Sequence, residues 1–217
     1  MTIDRTRRKL LGAALPHVPF DGWTLKAILA GARDAGLTPA QAANAFPGGP
    51  AEMIEMMSRD ADDAMLEAAE KENLAALKVR ERISRLVRLR LGPYARDREA
   101  VRRAVAVLAL PQNGPLGLRL LYRTVDAIWY AAGDTATDHN FYTKRALLAG
   151  VYAATLLHWL DDSSESQART WDFLDRRIGD VMRVPQALGR LGQIGRRLPN
   201  PALFFRARRR RPLHSGH

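Results

Sequence analysis

A chain of 217 residues with 47% apolar and 26% charged residues has a globular composition, which excludes a disordered chain, a collagen and a disulfide-stapled miniprotein. It has no cysteine, so thiolate nucleophiles, iron-sulfur clusters and Cys-based zinc sites are excluded too. The formal charge of +11 is concentrated at one end: nine Arg and no acid follow from Arg183 onward, against 25 basic and 23 acidic residues over 1–182, the pattern of a neutral body with a tether for an anionic surface.

Apolar residues recur at three and four along the whole chain and nowhere alternate for long, which predicts an all-α protein of about nine to ten helices. Residues 1–15 read as an amphipathic first helix. The run Arg7-Arg8-Lys9 before Leu10 and Leu11 is followed too soon by Pro16 to be an export signal. Helix breaks are expected at 15–23, 35–38, 46–49, 92–93, 111–115, 133–138, 161–164, 184–185 and 199–201. Thr38 before Pro39, Asn113 two residues before Pro115, Asp138, and Arg183 before Pro185 support helix starts.

Within the first third, Trp23 to Asp34, the turn Ala35-Gly36-Leu37 and Thr38 to Phe46 outline a helix-turn-helix, and short N-terminal helices followed by longer ones give the layout of TetR-type regulators. A recognition helix needs donors for base edges and cations for phosphates. Asp34 to Ser58 holds no Lys or Arg and three acids, Asp34, Glu52 and Glu55, so this surface repels a duplex and no nucleic-acid partner is expected.

Little else points to chemistry. Asp134, Asp138 and His139 are close in sequence, but neighbouring helical side chains face different ways and Asp138 suits a helix cap, so no metal is assigned. His158, between Leu157 and Trp159, reads as a core histidine, and Ser163 and Ser164 lack a base, so neither catalysis nor a cofactor is expected. The longest uncharged run, Ala146 to Leu160, is 15 residues, short of the roughly 20 that span a bilayer. Leu116 to Tyr130 and Phe141 to Leu160 carry large apolar residues beside small Ala and Gly, a pattern that fits either a packed helical hairpin or a lipid tunnel. In the tail, Val184, Leu188, Leu191, Ile194 and Leu198 share one stripe while Arg183, Arg190 and Arg197 repeat on another. Such a basic amphipathic helix either packs as a cap on its own domain or lies in a membrane interface, where each Arg near an anionic leaflet adds about 1 kcal/mol. Leu188, Leu191, Ile194 and Leu198, with Arg190 and Arg197, are the expected membrane contacts.

Several blocks are more specific than helix periodicity: Leu15-Pro-His-Val-Pro-Phe-Asp-Gly-Trp-Thr24, Leu110-Pro-Gln-Asn-Gly114, Asp126-Ala-Ile-Trp-Tyr-Ala-Ala-Gly-Asp134, His139-Asn-Phe-Tyr-Thr-Lys-Arg145 and Thr170-Trp-Asp-Phe-Leu-Asp-Arg-Arg-Ile178. Together they resemble the TetR-fold, lipid-binding accessory protein family of ubiquinone biosynthesis, ninth in the coenzyme Q series, over roughly residues 10–182. The resemblance implies a TetR-like fold without DNA binding and an isoprenoid lipid or phospholipid in a helical pocket. It also implies a membrane-binding terminal helix, docking to the di-iron hydroxylase that acts on demethoxyubiquinone, and no catalysis by this chain. The family's docking patch maps onto Asp126, Ile128, Phe141, Tyr142 and Arg145, with Phe141 standing where relatives can carry Trp. For the lipid, the hairpin positions Leu121, Val125, Trp129 and Leu148 are expected, with Val151, Tyr152, Thr155 and Trp159.

The domains expected are a helix-turn-helix-like part over 1–50, a lipid-binding and docking core over 51–182, and a basic amphipathic helix with an Arg-rich tail over 183–217. TetR-like domains commonly pair, so a homodimer is expected. With no presequence visible, the location expected is the bacterial cytoplasm, peripheral on the inner membrane. A ligand-responsive transcription regulator and a lipid-modifying enzyme are the rival readings.

Overall fold

The computed structural model describes residues 3–133 and 140–181, with side chains from Tyr142 on in the second stretch. The chain divides into two compact units, Met1–Ile178 and Gly179–His217, and the packing below is that of the first. Nine helices follow in order: α1 (Ile3–Ala14), α2 (Val18–Asp21), α3 (Leu25–Asp34), α4 (Pro39–Ala45), α5 (Gly49–Glu70), α6 (Val79–Leu91), α7 (Arg98–Leu108), α8 (Gly114–Ala131) and α9 (Asn140–Asp161). A tenth, α10, occupies 168–181, and no strand occurs among the described residues, as the periodicity predicts.

Local chemistry sets the helix ends. Thr38 opens α4 with a capping box: its hydroxyl accepts from the Gln41 N–H at 3.2 Å, and the Gln41 side chain accepts from the Thr38 N–H at 2.8 Å. At the end of α3, Gly36 turns back at φ +65°, where the Leu37 N–H donates to the Ala32 carbonyl at 2.8 Å. Asn113 stands at the start of α8 but does not cap it with its side chain; its amide donates to the Val107 carbonyl at 2.9 Å instead. The expected caps at Asp138 and Arg183 lie outside the described residues.

One break has no counterpart in the sequence reading. Between α5 and α6, residues 71–78 leave the helix without any Gly or Pro. Arg82 holds this turn by donating to the Leu77 carbonyl at 2.9 Å and the Ala75 carbonyl at 3.0 Å, and Glu81 accepts from the Lys78 N–H at 3.1 Å. In the opposite sense, the expected break over 15–23 contains a 3₁₀ turn and the single turn α2.

Two sets of buried residues organise this unit. The N-terminal core joins Leu10 and Ala14 of α1, Ile28 of α3 and Ala42 of α4 to Ile54 and Met57 of α5 and Ala104 of α7. Trp23 fastens it, its indole N–H donating to the Ala100 carbonyl at 2.9 Å. Helices α1 and α3 approach so closely at Gly31 that a Cβ there would lie 2.6 Å from the Ala14 Cα. Farther on, α5, α6, α8 and α9 bury Met65, Leu86, Val87, Val125, Ile128 and Trp159. The 22 residues of α5 serve both sets and cover about 33 Å at 1.5 Å per residue.

Polar ties hold the end of α9. Arg98 and Arg102 of α7 donate to the Asp162 and Leu160 carbonyls, supplying partners to a helix C-terminus that would otherwise lack them. The buried Asp162 carboxylate accepts from the Ser164 N–H (2.8 Å) and hydroxyl (2.6 Å) and from the Thr170 N–H (2.8 Å) and hydroxyl (2.7 Å), tying α9 to α10. Burial pushes this carboxyl up, but those bonds outweigh it and hold the group well below the usual carboxylate range. From α10, Asp175 accepts from Ser84 at 2.5 Å and from Arg88 at 2.9 Å.

Candidate functional site

A cavity of about 460 Å³ opens among α5, α6, α7, α8 and α9, within the range of small-ligand pockets. Most of its wall is apolar. Ile54 and Met57 come from α5, Val101, Ala104 and Leu108 from α7, Leu120 and Leu121 from α8, and Ala153, Leu156 and Trp159 from α9. Gly117 keeps α8 close to α7, since a Cβ there would meet the Leu108 carbonyl oxygen at 3.2 Å. Leu118 and Leu157 line the cavity yet are exposed, which marks where it reaches the surface.

The rest of the wall is a polar cluster. Arg90, on α6, donates through Nε to Asp62 Oδ1 at 2.7 Å and through Nη2 to the Ser58 carbonyl at 3.1 Å and hydroxyl at 3.2 Å. The Thr124 hydroxyl donates to the same Asp62 oxygen at 2.8 Å, and the Tyr94 hydroxyl to the Met57 carbonyl at 3.1 Å. Asp62 and Arg90 are almost wholly buried, at 1% and 8% exposure. Burial opposes the Arg90 charge, but the Asp62 carboxylate, by its charge and its hydrogen bond, holds the guanidinium protonated. Burial raises the phenols of Tyr94 and Tyr152, which stay protonated.

The residues expected to meet lipid separate into two groups. Leu121, Tyr152 and Trp159 line the cavity. Val125, Trp129, Leu148, Val151 and Thr155 are buried but outside its wall. The Thr155 hydroxyl is spent within α9 itself, donating to the Val151 carbonyl one turn back at 2.7 Å. The hairpin thus offers only one side to the cavity, and α5, α6 and α7 provide the remainder.

Of the docking positions, Asp126 and Arg145 join α8 to α9 by an ion pair at 2.7 Å, and Tyr142 is 79% exposed near the start of α9. Ile128 is fully buried and packs beneath this face, so its expected role as a contact is corrected to one of support. The Phe141 side chain lies outside the described residues, as do Leu188, Arg190, Leu191, Ile194, Arg197 and Leu198. Lys144 sits over the Trp129 ring at 5.9 Å, and Tyr130, 78% exposed, adds an aromatic that the sequence reading did not single out. His158, expected in the core, is half-buried against the Phe173 ring at 4.8 Å. No group of metal-binding side chains occurs among the described residues, and none of their helices is long and apolar enough to cross a membrane.

The Arg90–Asp62 pair escaped the sequence reading although a signal for it exists. Ile54, Ser58, Ala61, Asp62 and Met65 fall on one stripe of α5, and Ile83, Leu86, Val87, Arg90 and Leu91 on one stripe of α6. One acid and one base, each on an otherwise apolar or small-residue face of adjacent helices, are candidates for a buried pair.

Comparison with known proteins agrees with this architecture. The TetR transcriptional regulator from Nitrosomonas europaea superposes with a TM-score of 0.68 at 22% identity, over 81% of this chain and 97% of that one, so the TetR-like fold expected from the helix layout holds. A family model described as COQ9 matches residues 114–185. The mitochondrial ubiquinone biosynthesis protein COQ9 of Rattus norvegicus is 38% identical over 193 residues, 83% of this chain, and that of Homo sapiens 34% over 199 residues, also 83%. This chain spans 60% of the rat protein and 59% of the human one. COQ9-B of Xenopus laevis is 33% identical over 199 residues, covering 88% of this chain and 68% of that protein. These relatives are named as mitochondrial, which overturns the expected bacterial cytoplasmic location. Identity of this order, sustained over most of the sequence and over two thirds of the frog protein, makes the assignment: the chain belongs to the COQ9 family.

Proposed function

We propose that this chain serves ubiquinone biosynthesis as a non-catalytic, lipid-binding accessory protein. It would take up an isoprenoid lipid or a phospholipid from a membrane surface and bring substrate to the hydroxylase that acts on demethoxyubiquinone. The observation that carries this reading is the cavity of about 460 Å³ with a largely apolar wall, in a protein whose relatives are named for ubiquinone biosynthesis. A polyprenylated precursor is nearly insoluble, so an apolar enclosure lowers the cost of lifting its head group toward an enzyme. Tyr142 and the Asp126–Arg145 pair supply an exposed aromatic beside a charged rim, a combination suited to a protein partner, and Phe141 belongs to the same proposed patch. The Arg-rich segment over 183–217 is the proposed membrane contact, and pairing of two copies belongs to the same proposal.

Transcription regulation is the weaker reading. Helix α4, where a recognition helix would stand, is Pro-Ala-Gln-Ala-Ala-Asn-Ala, and the Asp34 to Ser58 region offers phosphates no cation.

The direct test is mass spectrometry of lipid extracted from the natively purified protein, beside an Ala153→Phe variant that fills the cavity. Near-stoichiometric lipid in the wild type and at least a tenfold loss in a folded variant are expected. A wild-type protein that carries no lipid, and takes none up from vesicles, would remove the lipid-binding role.

A further inference from the structure

The turn between α7 and α8 is both uncharged and exposed. From Ala104 to Leu118 the chain holds no charged residue, yet Leu110 and Leu118 are 45% and 60% exposed, and Tyr122, one turn further along α8, is half-exposed. Leu157 of α9, 55% exposed, stands at the same opening, because Leu118 and Leu157 both line the cavity where it reaches the surface. The turn is itself part of that wall, through Leu108, Ala109 and Gly114. Large apolar side chains gathered around the mouth of an apolar cavity mark an interaction surface rather than scattered exposure.

Backbone and flanks decide what that surface meets. Pro111 and Pro115 have no N–H to offer. The Ala109 N–H donates to the Val105 carbonyl at 2.9 Å, the Leu110 N–H to the Val107 carbonyl at 3.3 Å, the Asn113 N–H to the Leu110 carbonyl at 2.9 Å, and the Gly114 N–H to the Pro111 carbonyl. Asn113 spends its side-chain amide on the Val107 carbonyl at 2.9 Å. A turn so closed on itself has little to give the hydrogen-bonded rim of a protein partner. It meets the condition a lipid environment sets, that polar groups are satisfied from within. The first charges on either side are arginines, Arg103 and Arg119, held by Glu99 at 3.2 Å and Glu55 at 3.1 Å in surface pairs. Such pairs are weak and leave each guanidinium able to turn to a lipid phosphate.

We propose that the α7–α8 turn is a bilayer-contacting tip. Leu110 and Leu118, with Leu157 beside them, enter the interface of a membrane, Arg103 and Arg119 meet the head groups, and the mouth of the cavity is thereby set against the lipid. The tip orients the protein and does not hold it. A single myristoyl chain gives only marginal attachment, and three half-exposed leucines offer no more apolar surface than that, so attachment stays with the segment 183–217. This proposal rests on the reading of the chain as one that works at a membrane surface. It adds which part of the body meets the bilayer.

With no cysteine in the full chain, Leu110→Cys accepts one nitrobenzoxadiazole label, and Ala40→Cys, at an exposed position of α4, gives the control. The membrane probe is a vesicle of phosphatidylcholine with phosphatidylglycerol. On mixing, the emission of the Leu110→Cys label is expected to rise at least twofold and to be quenched by lipid brominated along its acyl chains, while the Ala40→Cys label changes in neither respect. Leu110→Glu should keep the wild-type Tm and sediment with the vesicles to within twofold. Once stripped of lipid, it should reload from them at least fivefold more slowly than wild type. If the protein sediments while the Leu110→Cys label stays unchanged, or if Leu110→Glu reloads at the wild-type rate, the tip is overturned while the lipid cavity stands. A label that responds to protein concentration without vesicles would make the turn a contact between copies, and overturns the tip as well. If no lipid loads although the Leu110→Cys label is quenched by the brominated chains, the cavity reading falls and the membrane tip survives it. A chain that does not sediment at all takes the membrane reading and this proposal down together.

Discussion

Arg90 and Asp62 put opposite charges in the interior, and their 2.7 Å contact makes each dependent on the other. Arg90→Met leaves the Asp62 carboxylate buried with only Thr124 and a distant Arg123, so a loss of about 3–5 kcal/mol in urea unfolding is expected. The paired variant Arg90→Met with Asp62→Leu should recover most of that loss. Asp162 makes a different statement, one about pH. Its folded pKa lies below that of an unfolded aspartate, so its contribution is fully present above the unfolded value of about 3.9 and is lost as pH falls below it. The urea midpoint of the wild type should therefore exceed that of Asp162→Asn at pH 7, and the gap should narrow by pH 3. The Arg90–Asp62 pair left a signal in its two helix stripes, whereas Asp162 left none. Asp162 stands in an Asp-Asp-Ser-Ser run that reads as an exposed loop, and only the fold brings Thr170 back onto it.

At the scale of helices, more was legible, because punctuation and periodicity act locally. Thr38-Pro39, the Gly36 turn and the Pro111 to Pro115 break each carry their own chemistry and fall where the sequence predicts. The turn over 71–78 was illegible for the converse reason: Arg82 holds it from the following helix, and its third bond, to the Ala132 carbonyl at 3.0 Å, comes from 50 residues away. For the cavity, periodicity identified α8 and α9 as unusually apolar but could not assign their sides. Val125 and Leu121, one turn apart on α8, differ in that only Leu121 reaches the cavity. The start of α9 offers a functional test at this scale. Tyr142→Ala removes a side chain that is 79% exposed, so the thermal midpoint should stay within about 2 °C of wild type. Affinity for the hydroxylase, measured by surface plasmon resonance, should fall at least tenfold; undiminished binding would take Tyr142 out of the docking face.

For the molecule as a whole, charge and packing are divided. The excess positive charge belongs to the segment from Arg183 onward, while the cavity belongs to residues before it. Removal of 183–217 is expected to abolish sedimentation with anionic liposomes and to leave the amount of lipid co-purifying with the body within twofold, which separates attachment from loading; full sedimentation of the truncated chain would assign membrane contact to the body. The TetR-like layout was legible as a whole because helix lengths and turns survive where the chemistry of the recognition helix does not. A ligand's effect on this layout follows from α5. Ile54 and Met57 of α5, with Ala104 of α7, both wall the cavity and pack the N-terminal core. A ligand in the cavity would therefore touch side chains that also clamp α1, α3 and α4, and slower amide exchange of these helices on loading is the expected outcome. In a regulator of this fold such coupling would move a reading head; in this chain, with no cation on that head, a filled cavity would instead stiffen the surface that carries it.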